Sequence, residues 1–94
     1  MRLAKTTKRF RRDYKKMKRS GKKIAKLHAA MSLLVDGKPL PQKYRDHALQ
    51  GEWQHLRDFH VEGDWVLLYE FGTDAEGNES VTFHATGTHE NLFG

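Results

Sequence analysis

The sequence predicts a two-layer α+β domain: an antiparallel-dominated sheet of about four strands with a two-helix hairpin packed on one face. Three observations carry this. The chain has 94 residues, enough for one domain, residues 1–94, with a small core. Apolar residues recur at spacings of three and four in residues 8–35, then alternate in residues 53–88. The two periodicities are segregated along the chain, which fits helices gathered on one sheet face in the order β-α-α-β-β-β.

Residues 2–6, Arg-Leu-Ala-Lys-Thr, read as a short first strand, and Thr6 or Thr7 can cap the helix after it. Residues 8–19 read as a helix with Phe10, Tyr14 and Met17 in one stripe, ended by Ser20-Gly21. A second helix spans 22–35, with Ile24, Leu27, Met31 and Leu34 on its apolar face, His28 at the boundary and Asp36-Gly37 as the stop. Residues 38–52 read as a loop, because Pro39 and Pro41 bar ladder pairing, with Tyr44 and Leu49 pinning it to the core. A strand over 53–60 puts Trp53, His55, Arg57 and Phe59 on one face and Gln54, Leu56, Asp58 and His60 on the other. Glu62-Gly63-Asp64 reads as a hairpin turn leading into the most apolar strand, 65–71. After a polar turn at 73–79, the last strand runs over 80–88, and Leu92 and Phe93 suit a packed tail.

Composition narrows the function. The chain lacks cysteine, so a disulfide framework and a thiolate metal site are excluded. It shows no membrane-length apolar run and no signal-peptide pattern, so a cytoplasmic protein is expected. Charge is lopsided: residues 1–26 hold 13 of the 17 Lys and Arg against one acid, Asp13, whereas residues 44–94 hold two bases, Arg45 and Arg57, against ten acids. The basic third, with Lys15, Lys16, Lys22 and Lys23 on its helices, suits a phosphate backbone, a solvated face or an acidic protein partner.

The stretch His47 to Asp64 concentrates titratable groups: three of the six histidines, two aspartates, two glutamates and one arginine in 18 residues. Histidine alone titrates unperturbed near neutral pH, so such a cluster is what acid–base chemistry needs. A second cluster, His84 to His89, closes the chain, and the two are expected to face each other on neighbouring strands across the open sheet face. Each residue also has a plain structural reading. Asp64 is a natural turn former, Trp65 suits a core as well as a base stack, Arg57 can pair with Asp58, and His55 and His84 suit peripheral positions. No tight ligand spacing among the histidines points to zinc, and no metal or cofactor is expected.

Several segments together are similar to one family. Leu40-Pro41, Asp46-His47, Leu49-Gln50-Gly51-Glu52-Trp53, Arg57-Asp58, His60-Val61, Asp64-Trp65 and Tyr69, with the ending Thr86-Gly87-Thr88-His89 and Leu92-Phe93-Gly94, resemble the YafQ toxins of the RelE superfamily. The likeness spans the chain in length and element order. It is specific over 39–70 and 86–94 and general over 1–38.

That resemblance implies a RelE-like fold and a ribosome-dependent mRNA endonuclease of a type II toxin–antitoxin pair. The implied reaction cuts mRNA in the ribosomal A site of the 70S particle, at AAA-type codons, without metal. The 2′-OH attacks the adjacent phosphorus and leaves a 2′,3′-cyclic phosphate and a 5′-OH. It further implies an antitoxin dimer bound as a heterotetramer, with operator DNA contacted only through that complex. Residue by residue, His47, His60, Asp64 and His89 match catalytic or mRNA-contacting positions, and Trp65 and Phe93 match aromatic positions at the site. The family's arginine before Thr-Gly-Thr-His is Ala85 in this chain. An engineered disarming change and natural divergence both account for that alanine. Arg57 and the N-terminal lysines are the candidates to replace the missing guanidinium. A non-cleaving ribosome-binding or RNA-binding module of the same fold is the competing reading.

Overall fold

The computed structural model describes residues 1–93. Its elements are β1 (Leu3–Thr6), α1 (Lys8–Arg19), α2 (Ile24–Asp36), β2 (His47–Ala48), β3 (Arg57–Glu62), β4 (Trp65–Thr73), β5 (Glu79–Thr88) and α3 (His89–Phe93). The expected α+β class and the order of the main elements hold. The sheet has five strands, in the order β1-β5-β4-β3-β2, with β1 parallel to β5 and every other pairing antiparallel.

Both long helices form as their spacing predicts. Thr7 is the cap of α1, its hydroxyl accepting from Phe10 N at 3.0 Å, and Gly21 (φ 84°) and Gly37 (φ 70°) take the left-handed turns after each helix. Phe10 and Met17 of α1 and Leu27, Ala30 and Leu34 of α2 are buried against Phe59, Val61, Trp65, Leu67, Tyr69, Val81 and Phe83 of the sheet. Tyr14 and His28 tie the helices together, hydroxyl oxygen to Nε2 at 2.6 Å, which fits a boundary histidine.

Four expectations change. The segment 38–52 is not all loop: His47 pairs with Asp58 and Ala48 with Arg57, a short ladder that begins beyond the reach of the prolines. The strand expected over 53–60 starts at Arg57, because residues 51–53 form a tight turn that spends Trp53 outside the ladder. The tail is a helix, α3, capped by Thr88, whose hydroxyl accepts from Asn91 N at 3.1 Å. Gly94 lies outside the described residues. The second sheet face is not wholly open. Leu56, Val66, Leu68, Ala85 and Leu92 bury a second, smaller cluster there with Leu49 beside it, and Tyr44 stacks on Phe59 at 4.5 Å on the first face. Tyr44 and Leu49 do pin the loop, on opposite faces.

Trp65 illustrates how tightly the first core is set. It is 1% exposed, and its Nε1 donates to Thr86 Oγ1 at 2.9 Å, while that hydroxyl donates to Val66 O at 2.9 Å. Trp65→Ala is expected to cost about 3–5 kcal/mol in urea unfolding, the range for deleting a buried tryptophan.

Candidate active site

The site is built where β2, β3 and α3 converge on the second sheet face. On β3, side chains alternate, so Phe59 and Val61 enter the main core while Asp58 and His60 point the other way. The pairing of His47 with Asp58 brings the β2 histidine onto the same face. The clusters expected on neighbouring strands are instead separated by β4: His60 pairs with Val66, and Val66 with Gly87. His89 reaches His60 because α3 turns back over Gly87. Asn91 Cβ lies 3.4 Å from where a side chain there would begin, so a bulky residue would push the helix away.

The result is a row of three imidazoles. His60 stands between His47 (ring centroids 5.7 Å apart) and His89 (5.5 Å). Asp58 underlies the row. It is 2% exposed, and its Oδ2 lies 3.4 Å from His89 Nε2 and 3.8 Å from His47 Nε2. Its Oδ1 faces His60 Nδ1 at 3.9 Å, too far for a hydrogen bond. Neither of those two atoms has a partner among the described residues.

His89 is held from both sides. Its Nδ1 lies 2.5 Å from Asp64 Oδ1 and its Nε2 faces Asp58. A carboxylate only accepts, so bonding both calls for an N–H on each ring nitrogen, which is the imidazolium. The Asp64 hydrogen bond first, then that of Asp58, raises the His89 pKa above the ordinary histidine value. The same bond from His89 lowers that of Asp64.

His47 is fixed differently. Its Nδ1 lies 2.8 Å from the Arg45 carbonyl, which also only accepts. The proton therefore sits on Nδ1, and in the neutral ring Nε2 carries the lone pair towards Asp58. Arg45 adopts φ 44°, a strained conformation for a side-chain-bearing residue, and in that turn its carbonyl meets the histidine.

One clamp holds the loop that presents His47. Arg57 Nε and Nη2 both donate to Asp46 Oδ2, at 3.0 and 2.7 Å, and the Tyr69 hydroxyl donates to Asp46 Oδ1. Asp46 raises the Arg57 pKa, and burial followed by the Asp46 bond raises that of Tyr69. Arg57 is thus a clamp residue and pairs with Asp46, not with its neighbour Asp58. Its fork is already engaged, which weakens it as a substitute for the missing arginine.

Other expected site residues separate into two groups. Phe93 is 41% exposed and stacks beside His89, with centroids 6.1 Å apart, and the exposed Trp53 meets its edge at 5.9 Å. Trp65, by contrast, lies in the main core and offers no face to a base; Lys22 Nζ sits 5.9 Å from its ring. Ala85 is 2% exposed, on the same sheet face as His60, and its methyl carries no charge to a phosphate. Lys15, Lys16, Lys22 and Lys23 are exposed on the helical hairpin. The basic groups that reach the site are others: Lys26, Lys43 and Arg45 line a cleft of about 320 Å³ together with His60. His84 bonds Glu70 at 3.0 Å and meets His55 edge-on, a pair apart from the row. Sequence reading passed over Asp58 as a hub and Asp46 as a clamp. Only the alternation of β3 hinted at the first.

The family described as "Bacterial toxin of type II toxin-antitoxin system, YafQ" matches residues 2–94, and this chain belongs to it. It is 42% identical over 86 residues to the mRNA interferase toxin YafQ of Escherichia coli K12, spanning 90% of this chain and 88% of that protein. It superposes on the toxin of the E. coli DinJ–YafQ complex with a TM-score of 0.87, 38% identity and full coverage of both chains. A metal-bound toxin from Helicobacter pylori superposes with a TM-score of 0.85 and 29% identity, covering 99% of this chain and 100% of that one.

Asp46→Ala frees the loop that carries His47, so amide exchange at residues 44–48 is expected to rise roughly tenfold or more by hydrogen-exchange mass spectrometry, equivalent to about 1.4 kcal/mol of local opening. In an NMR titration, His89 is expected to hold its proton to higher pH than an ordinary histidine, and Asp64→Asn to bring it down. The folded-state value of His89 is raised, so its contribution to stability is complete below the ordinary histidine pKa and is lost as pH rises through the raised one.

Proposed function

We propose that this chain is an mRNA interferase, a ribosome-dependent endoribonuclease that cuts mRNA in the A site at AAA-type codons. The observation that carries the reading is the row His47–His60–His89 over Asp58, with one imidazole held as imidazolium and another holding a free lone pair. Transfer of a 2′-OH to phosphorus needs that pair of states. His47 Nε2, or His60, takes the 2′-hydroxyl proton as the oxygen attacks phosphorus. The bond from phosphorus to the 5′-oxygen breaks, and His89 Nε2 gives its proton to the departing oxygen. The products are a 2′,3′-cyclic phosphate and a 5′-OH, and no metal takes part. Both nitrogens lie within 3.8 Å of the same Asp58 oxygen, close enough to address the two oxygens flanking one phosphate. Asp64 orients His89 and holds its charge. Phe93 and Trp53 offer faces for stacking bases, and Lys26, Lys43 and Arg45 draw in the backbone.

Such a toxin acts in the cytoplasm, on the 70S ribosome. Among the described residues no helix is long and apolar enough to cross a membrane. Its antitoxin is an acidic, partly disordered segment of a dimeric DNA-binding protein that folds over the basic helices, Lys15, Lys16, Lys22 and Lys23 included. The complex is a heterotetramer that touches operator DNA through the antitoxin. The E. coli toxin solved with DinJ supports the partner class.

Ala85 favours a second reading, a binder that occupies the ribosome without cutting. The phosphorane would then lack a guanidinium, and a lysine is a poor geometric substitute. On programmed ribosomes with AAA in the A site, Ala85→Arg is expected to raise cleavage by about 10²–10³-fold, the usual worth of one transition-state donor. Equal cleavage by both proteins would show that the histidine row suffices, and cleavage by neither would leave the binder.

A further inference from the structure

Beyond Trp53, the second sheet face holds a cavity that the histidine row does not use. Its volume is about 220 Å³. Pockets for drug-sized ligands run from about 300 to 1,000 Å³, so this one is sized for a single small ring system. Its floor is apolar and made of Leu56, Leu68 and Ala85. Trp53 and His55 wall it from the segment before β3, and Arg9 walls it from α1.

The backbone is bent to line this cavity. Leu68 pairs with Ala85 and Tyr69 with Phe83, so His84 is the extra residue of a β-bulge. Regular alternation would send neighbours 84 and 85 to opposite faces, yet both border the cavity. The helix α1 is fastened to β5 on either side of Ala85. Thr7 Oγ1 donates to the His84 carbonyl at 2.8 Å, and Asp13 Oδ2 accepts from Thr86 N at 3.2 Å. Those two bonds hold Arg9, which lies between Thr7 and Asp13 in the helix, at the rim. Arg9 Nε is 3.6 Å from Asp13 Oδ2, beyond hydrogen-bond length, and the side chain is 42% exposed, so its outer nitrogens are open to an anion.

Aromatic rings join the cavity to the row. Trp53 meets the edge of Phe93 at 5.9 Å, and Phe93 stacks beside His89 at 6.1 Å. The cavity therefore lies on the His89 side of the site. In the ribonuclease reading His89 protonates the departing 5′-oxygen, and that oxygen belongs to the nucleotide downstream of the cut.

We propose that this cavity is a subsite for the RNA nucleotide immediately downstream of the scissile phosphate, its base lying over the Leu56–Leu68–Ala85 floor against Trp53 and its 3′-phosphate on Arg9. The downstream direction rests on the ribonuclease reading, through the role of His89; the binding of a nucleotide does not.

The chemistry of the walls selects this ligand. Single strands are held by bases stacked on aromatic rings beside a cationic groove. An apolar floor accepts the face of a base and gives a bare phosphate nothing to bond. The planar fork of Arg9 matches two phosphate oxygens at once. Binding the downstream nucleotide here fixes the position of its own 5′-oxygen against His89, so the subsite works by orientation.

The test is an NMR titration of the full chain with the 2′-O-methyl dinucleotide ApA carrying a 3′-phosphate. It has one internal phosphodiester and lacks the hydroxyl that cleavage needs. Saturable shifts are expected at the Trp53 indole N–H and at the rings of His55 and His84, with His28 unmoved. Trp53→Ala should weaken binding about tenfold, within the usual worth of one stacked base. Arg9→Gln should reduce the slope of log K against log salt by about 0.7, the share of one phosphate on a single strand. Both side chains are partly exposed, so neither substitution threatens the core. Removing the downstream base from the dinucleotide should erase the effect of Trp53→Ala, and removing the upstream base should leave it. The opposite dependence, or an equal cost of Trp53→Ala on all three ligands, overturns the downstream assignment. No saturable shift at Trp53, His55 and His84 with millimolar dinucleotide, or the same shifts with inorganic phosphate alone, overturns the subsite. Cleavage on programmed ribosomes separates the two ideas. If the chain and its Ala85→Arg variant never cut while the dinucleotide binds as described, the ribonuclease reading has failed and the nucleotide site stands. If they cut while the cavity stays silent, the subsite alone has failed.

Discussion

Asp58 carries a carboxylate into a place with almost no solvent, and the surrounding site is arranged around that fact. A buried charge is tolerated only when other groups compensate it. Here three imidazoles approach it, from β2, from β3 itself and from the turn into α3. Desolvation makes Asp58 a strong organiser. It draws the His89 proton towards one oxygen and leaves the other facing His60. The different settings of the outer histidines, one bonded to carboxylates through both ring nitrogens and one donating from Nδ1 to a carbonyl, are consequences of which carboxylate or carbonyl each ring meets.

The supporting structure exists to bring those rings to the carboxylate. β3 is anchored by Phe59 and Val61 in the main core, which leaves Asp58 and His60 no choice of face. The two outer histidines come from segments that are weak on their own. β2 is only two residues long, and the Asp46–Arg57–Tyr69 clamp, with Tyr44 stacked on Phe59, compensates for its shortness. The helix α3 is five residues long. Its Thr88 cap, the small Gly87 beneath it and Leu92 in the second cluster set its course. Precision at the site thus depends on polar clamps at two short segments and a core-anchored strand between them.

Charge is divided along the same lines. Cationic helices cover one sheet face, and the acidic half of the chain carries the site on the other. Lys26, Lys43 and Arg45 bridge the two by lining the cleft beside His60. An anionic chain drawn to the basic surface is thereby led to the histidines. Ala85 belongs to this picture by what it lacks: it sits on the right face, buried among Leu68 and Leu92, and leaves the phosphate to groups farther off.

The α+β class, both helix stripes, the caps and turns, and the YafQ likeness were all legible in the sequence, because each rests on local periodicity, local backbone preference or a linear motif. His47, His60, Asp64 and His89 could be singled out in the same way. Their assembly could not. The short ladder of His47 with Asp58 depends on a pairing across a proline-bearing loop, and no local propensity announces two strand residues there. Arg57 could be read as a partner of Asp58 or a stand-in for the missing guanidinium until Asp46 and Tyr69 closed on it, and Trp65 as core or base stack until the helices covered it. Asp58 stood in the linear sequence as an ordinary strand aspartate. Only the tertiary structure made it the hub, because burial and convergence are properties of distance in space, and the residues that create them lie up to 42 positions apart, as from His47 to His89.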